Sequence, residues 1–297
     1  MPTNNKTYFL GIDGGGSKCK AIIVSEDNKV IGSGISGPAN PIHGFEQATH
    51  SITESALLAL KDAGLQDVKL SDLIAGVGLA GVNLPILFDQ MSAWEHPFKT
   101  MYLTTDLLIA CLGAHQGDDG AVMISGTGSC GFSYVDQTPF MVGAHGFPHG
   151  DKGSGAWIGL QATKNVLLSL DGLIEPTSLN QDVLDHTQAK SAVELVEAIA
   201  GKPATYYAKL AGYVFKRASE GDQVASAIIE EGAQYLSQVA KRLAQQNPPR
   251  LSIIGGLSSF IVPWLEEEVQ ANLSEPIYPP EMGSVLFAKQ QLANAAH

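Results

Sequence analysis

Two stretches of this chain repeat one plan, three short strands joined by tight turns and then a helix, and that repeat constrains the fold more than any other feature. β-Branched and aromatic runs bounded by turn residues mark strands at TYFLGID, CKAIIV and KVIGSGI, with GGGSK and EDN as the turns. A helix is predicted over 45–63, with Phe45, Ala48, Ile52, Ala56, Leu57 and Leu60 as its apolar stripe and Gly64 as its stop. Strand LIAGVGL, a helical stretch near 84–94, strand YLTTD and helix DLLIACLGAH follow. The second copy opens with AVMIS, CGFSYV and FMVGAH, then a helix over about 153–170 that buries Trp157, Val166 and Leu167. Helices near 190–199, 203–219 and 222–246, strand LSIIGG, helix 257–273, a short strand at IYP and a last helix from Gly283 complete the reading. A repeat of this size predicts two related α/β domains with the ligand in the cleft between them.

Composition narrows the partners. The 297 residues carry a net charge of −12 with no clustered Lys/Arg stripe, which excludes nucleic acid and anionic membranes as expected partners. Three scattered cysteines without a C-x-x-C pair support neither a disulfide framework nor a zinc site. No run of about 18 apolar residues appears, and the first residues lack the pattern of a secretory leader. The expectation is a cytoplasmic protein.

Glycine clusters mark candidate ligand loops: GIDGGG, GVGLAG, SGTGSCG, HGDKGSG and IGGLSS, each after a short apolar run. GTGSCG has the spacing of a dinucleotide loop, but FSYV follows it and reads as a strand, whereas a dinucleotide loop must open a helix. GIDGGGSK misses the P-loop pattern and also leads into a strand. Both are glycine-rich hairpin turns, one at the start of each copy. A turn of this kind is ordinary in a hairpin. Two at equivalent places in a repeat, with Gly255-Gly256 as a third cluster, favour phosphate binding by backbone N–H groups and the hydroxyls of Ser17, Thr127 and Ser129. Asp13 then lies near the Mg²⁺ that bridges the phosphates, through water.

GIDGGGSK, SGTGS and IIGGLSS resemble the first phosphate, second phosphate and adenosine motifs of the actin-like ATPase superfamily. With GPANP, TTD and GDKGSGAWIG, the chain resembles the BadF/BadG/BcrA/BcrD-type ATPase family and, within it, the glucosamine and N-acetylglucosamine kinases. The resemblance implies an α/β fold, a duplicated actin-like (ribonuclease H-like) ATPase with two domains around a cleft. It implies a sugar-binding domain at 1–117, a nucleotide-binding domain with helical insertions at 118–284, and a closing helix at 285–297 that crosses back to the first domain. ATP and Mg²⁺ are the implied cofactors, and a homodimer is compatible with it. Gly14, Gly15, Gly16, Ser17, Thr127, Gly128, Ser129, Gly255 and Gly256 would bind the nucleotide.

Asp106 stands where strand YLTTD meets the next helix, so its residue type fits a helix cap and a catalytic base equally. The resemblance selects the base, for phosphorylation of the sugar 6-hydroxyl. Asn40 is a turn residue by itself, and Asp151 a cap or loop residue; the resemblance places both at the sugar. His145 stands where the kinases' sugar-contacting Trp is expected, and Lys152 replaces a usual Glu, so His145 is a candidate sugar contact or a plain loop histidine. Two other readings belong to the same superfamily, an ATPase activator of a radical dehydratase and a non-kinase actin-like ATPase. The first needs cysteine ligands for an iron–sulfur cluster.

Overall fold

A computed structural model describes residues 7–295, so the outermost residues of the expected first and last segments, 1–6 and 296–297, lie outside the described residues. Contacts divide the chain into one unit running to Gly120 and resuming at Pro276, and a second from Ala121 to Glu275.

In the first unit, β1 (Tyr8–Gly14), β2 (Cys19–Val24) and β3 (Val30–Ser36) form an antiparallel run. Strands β4 (Leu73–Leu79) and β5 (Thr100–Thr105) continue the sheet in parallel on the other side of β1, in the order β3-β2-β1-β4-β5. The helices of this unit are α1 (Phe45–Asp62), α2 (Pro85–Ser92), α3 (Asp106–Ala114) and, from the far end of the chain, α12 (Pro280–Ala295). Glycine inside a strand costs roughly 0.5–1 kcal/mol relative to Ala. Here it lets helices dock backbone to backbone. A Cβ at Gly34 would lie 2.6 Å from the Ala59 nitrogen of α1, and Cβ atoms at Gly11 and Gly76 would collide with the α12 carbonyls of Glu281 and Ser284. Gly76 and Gly78 of the GVGLAG cluster are therefore packing residues inside β4, with Gly78 against Ile109, rather than a ligand turn past a strand. The same close approach explains α1. Its buried stripe includes Ser51, Ser55 and Ala59, while Leu57, expected inside, is 52% exposed.

The second unit holds β6 (Gly120–Ser125), β7 (Ser129–Val135), β8 (Thr138–Gly143) and β9 (Leu251–Ile254), ordered β8-β7-β6-β9. Its helices are α4 (Gly155–Leu170), α5 (Leu179–Thr187), α6 (Ala192–Ile199), α7 (Ala204–Ala208), α8 (Ala211–Ser219), α9 (Gln223–Ala244), α10 (Ser258–Ile261) and α11 (Glu267–Ala271). Ile158 of α4, Val214 of α8, and Ile229 and Leu236 of α9 meet in one core.

Five elements differ from expectation. Helix α5 was not anticipated; its start is held by Asp222, whose carboxylate accepts from Ser178 N at 2.8 Å across 44 residues of sequence. The helix expected over 203–219 breaks at Lys209 and Leu210 into α7 and α8. The helix expected over 257–273 is interrupted at Pro263, which lacks the N–H a continuing helix needs, leaving α10, a 3₁₀ turn and α11. The IYP segment is no strand. Ile277 N and Tyr278 N donate to Ala114 O and Gly113 O, each at 3.0 Å, and so satisfy the last carbonyls of α3. Helix α12 starts at Pro280, ahead of the expected Gly283, because proline suits the first helical position. Among the described residues no helix is long and apolar enough to cross a membrane.

Candidate active site

The first unit gathers acids around its glycine hairpin. β1 ends at Asp13-Gly14, and the turn closes by Gly15 N donating to Lys18 O at 2.9 Å. Gly14 is required by space, since a Cβ there would meet Leu79 and, at 3.0 Å, the Ala39 methyl. Gly15 and Gly16 are not. Added Cβ atoms would find nothing nearer than 3.7 and 3.9 Å, and the N–H groups of Gly16 and Ser17 have no protein acceptor among the described residues. An open, donor-bearing turn fits an anion.

Asp13 is half-buried at the head of this turn. Burial, then the negative charges of Asp106 and Glu281, push its carboxyl up to about 7 against the pull of Lys18 and Lys20. A carboxylate crowded by two others fits a cation nearby. Among the described residues no three metal-ligating side chains gather into a site of their own, so the chemistry suits a cation carried largely by phosphates and water.

Asp106 is the first residue of α3. The cap of that helix is Thr105, whose hydroxyl accepts from Leu108 N at 3.2 Å. The Asp106 carboxylate accepts from its neighbour Leu107 N, at 2.9 Å, and has no side-chain partner among the described residues. Burial raises its pKa, and backbone hydrogen bonds from Leu107 and Asp106 itself oppose the rise. The capping role that the sequence left open is thus taken by the preceding residue. Asn40 does cap, its side-chain oxygen accepting from Ile42 N at 2.9 Å, and it packs on Gly81. Its segment touches the hairpin through Ala39 N, which donates to Gly15 O at 2.9 Å.

The second unit builds its hairpin on a helix start. Gly155 N and Ala156 N of α4 donate to Gly126 O and Thr127 O at 2.8 and 3.2 Å, and Ser154 caps the helix by accepting from Trp157 N at 3.1 Å. The loop carbonyls are thereby engaged, while the N–H groups of Thr127 and Gly128 have no protein acceptor among the described residues. Thr127 is exposed. The hydroxyl of Ser129, expected to face phosphate, instead donates to Lys152 O at 2.8 Å. Gly255, at φ +111°, lies against Ser125 O, and Leu257 N donates to that carbonyl at 3.0 Å, so the GG cluster adjoins this loop; Gly256 has open space.

Asp151, at φ +60°, turns its carboxylate onto the same loop. A Cβ at Gly128 would meet Asp151 Oδ2 at 2.7 Å, and Gly146 N donates to Oδ1 at 3.3 Å. Burial raises the Asp151 pKa, opposed by hydrogen bonds from Gly146 and Ser129 and by the charge of His145, which is exposed beside it. Lys152 pairs with Glu231 at 2.8 Å and lies over the Trp157 ring.

Sequence reasoning missed three participants. Thr105 frees Asp106, and Lys20 and Glu281 pair beside Asp13. Glu281 is distant from Lys20 in sequence and carries no local motif, so only the fold reveals the pair.

An α/β chain with two sheet-centred units, each starting on a glycine hairpin, has the fold of the actin-like ATPases and sugar kinases. Within that class this chain belongs to the BadF/BadG/BcrA/BcrD ATPase family, which it matches over residues 10–288. It is 32% identical over 281 residues to a glucosamine kinase of Vibrio cholerae, covering 95% of each chain. It is 31% identical over 252 residues to an N-acetylmuramic acid/N-acetylglucosamine kinase of Clostridium acetobutylicum, covering 81% of each. A solved structure from Chromobacterium violaceum, described as a candidate N-acetylglucosamine kinase, superposes with a TM-score of 0.89 at 26% identity, over 96% of this chain and 99% of that one.

Proposed function

We propose that this chain transfers the γ-phosphoryl group of ATP to the 6-hydroxyl of an amino sugar, with Asp106 as the base. The observation that carries this reading is the Asp106 carboxylate, relieved of capping by Thr105 and raised in pKa by burial, at the mouth of α3. The relatives named glucosamine kinase and N-acetylmuramic acid/N-acetylglucosamine kinase support glucosamine and N-acetylglucosamine as the acceptors to try first.

The N–H groups of Gly16, Ser17, Thr127 and Gly128 are the donors to phosphate oxygens in this reading, and Gly256 leaves room for the nucleoside. Asn40 and Asp151 hold sugar hydroxyls, Asp151 with His145 beside it. Asp106 takes the 6-hydroxyl proton as the sugar oxygen bonds to the γ-phosphorus and the bond to the ADP oxygen breaks; the proton then passes to water. A raised pKa makes Asp106 a better proton acceptor than an ordinary carboxylate. Mg²⁺, held by Asp13 through water, would supply charge neutralisation on the phosphates.

The radical-dehydratase activator reading has less support. All three cysteines are buried, and burial pushes the Cys19 thiol up to about 11, which suits no surface cluster.

The test is ADP release with ATP and Mg²⁺ across glucosamine, N-acetylglucosamine, N-acetylmannosamine, glucose and no sugar. Turnover that depends on one amino sugar is the expected result. Equal release in every tube, or none in any, removes the kinase reading.

A further inference from the structure

Glu281 is 3% exposed, an unusual place for a carboxylate. It opens α12 and pairs with Lys20 of β2. Lys20 stands directly opposite Asp13 in the antiparallel register of β1 and β2, so the two side chains share one face of the sheet. Gly11, two residues before Asp13 on that face, receives the Glu281 carbonyl where a side chain would otherwise be. The first turn of α12 is therefore fixed against the end of β1 that carries Asp13. The Lys20 ammonium thus has two carboxylates within its reach, and the ion pair it forms is with Glu281.

A surface pair would hold α12 as well, at less desolvation cost. Burial next to Asp13 calls for another purpose. We propose that Glu281 is a positioning residue that draws the Lys20 ammonium away from Asp13, so that the Asp13 carboxylate stays available to hydrated Mg²⁺. The inference rests on the reading of Asp13 as the metal-side carboxylate. Without Glu281, Lys20 turns to Asp13 and competes with the cation for it.

The test compares wild type, Glu281→Gln and the double variant Glu281→Gln/Lys20→Met. Two readouts are taken, the Mg²⁺ needed for half-maximal turnover and the Mg²⁺ needed for half of the thermal shift produced by ADP. Glu281→Gln should raise both about 10-fold while the sugar KM stays within twofold. Removing the competitor in the double variant should return both toward wild type, although the ion pair is still missing. A purely structural pair predicts the opposite, a lower Tm in both variants and an unchanged Mg²⁺ requirement. The proposal is overturned if the single variant stays within twofold of wild type, or if the double variant is no better than the single. Where Glu281→Gln does not fold, Lys20→Arg and Lys20→Met carry the test: the longer cation should keep the Mg²⁺ requirement within twofold, methionine should lower it, and an unchanged or higher requirement with methionine overturns the proposal. If wild type turns over no sugar, the kinase reading fails, and the ADP thermal shift still decides the role of Glu281.

Discussion

The two glycine hairpins look alike in sequence and are built differently. The β1–β2 turn is set in negative charge, with Asp13 at its head and Asp106 and Glu281 near enough to raise the Asp13 pKa. The β6–β7 turn is set on the start of α4, whose first N–H groups hold the loop carbonyls of Gly126 and Thr127. Spare glycines sit in the first turn, where Gly15 and Gly16 have room for a side chain. In the second, Gly128 is pressed by the Asp151 carboxylate. Similar turns are thus set in unlike surroundings: the first opens onto a cluster of carboxylates, the second is pressed by a single one, Asp151.

The largest expected effect falls on the acidic unit. Asp106→Asn should lower kcat about a thousandfold with ATP affinity unchanged, as read by ADP release and nucleotide titration. Retained turnover would remove Asp106 as base. In wild type, the acid limb of the kcat profile should lie above the ordinary carboxylate value of 3.8, because protonated Asp106 cannot take the hydroxyl proton and burial raises its pKa.

Alanine at the two hairpins sharpens the contrast directly. Gly128→Ala should raise the sugar KM roughly tenfold by displacing Asp151, since a misplaced positioning group is costly. Gly16→Ala, with 3.9 Å of clearance, should leave Tm and sugar KM unchanged and weaken only ATP. Equal effects on sugar KM at both positions would erase the distinction.

Asp13 gives a pH test of the acidic cluster. Its folded carboxyl is pushed up from 3.8 to about 7, so the proton it binds stabilises the fold fully below 3.8, and that contribution is lost as pH rises through about 7. Asp13→Asn should therefore raise Tm over wild type by roughly 5 °C above pH 7 and by nothing near pH 4, without nucleotide or Mg²⁺. The smallest effect belongs to the second unit. Ser154→Ala removes the α4 cap and should cost about 1 kcal/mol, read as a fall of roughly 2–4 °C in Tm.

The sequence alone determined the strands of both glycine-hairpin units, the start of α3 at Asp106 and the residues of both turns, because alternation, turn glycines and caps act over a few residues. It misjudged Leu57, the helix over 257–273 and the IYP segment, where glycine-mediated helix docking, Pro263 and the open carbonyls of α3 prevailed. It named Asp13, Asp106 and Asp151 but not what surrounds them. Only the tertiary structure decided that Thr105 caps in place of Asp106, that Asp151 lies on Gly128, and that Glu281 reaches Lys20 from the far end of the chain. Charge and close packing act through space, between residues whose separation along the chain carries no pattern to read.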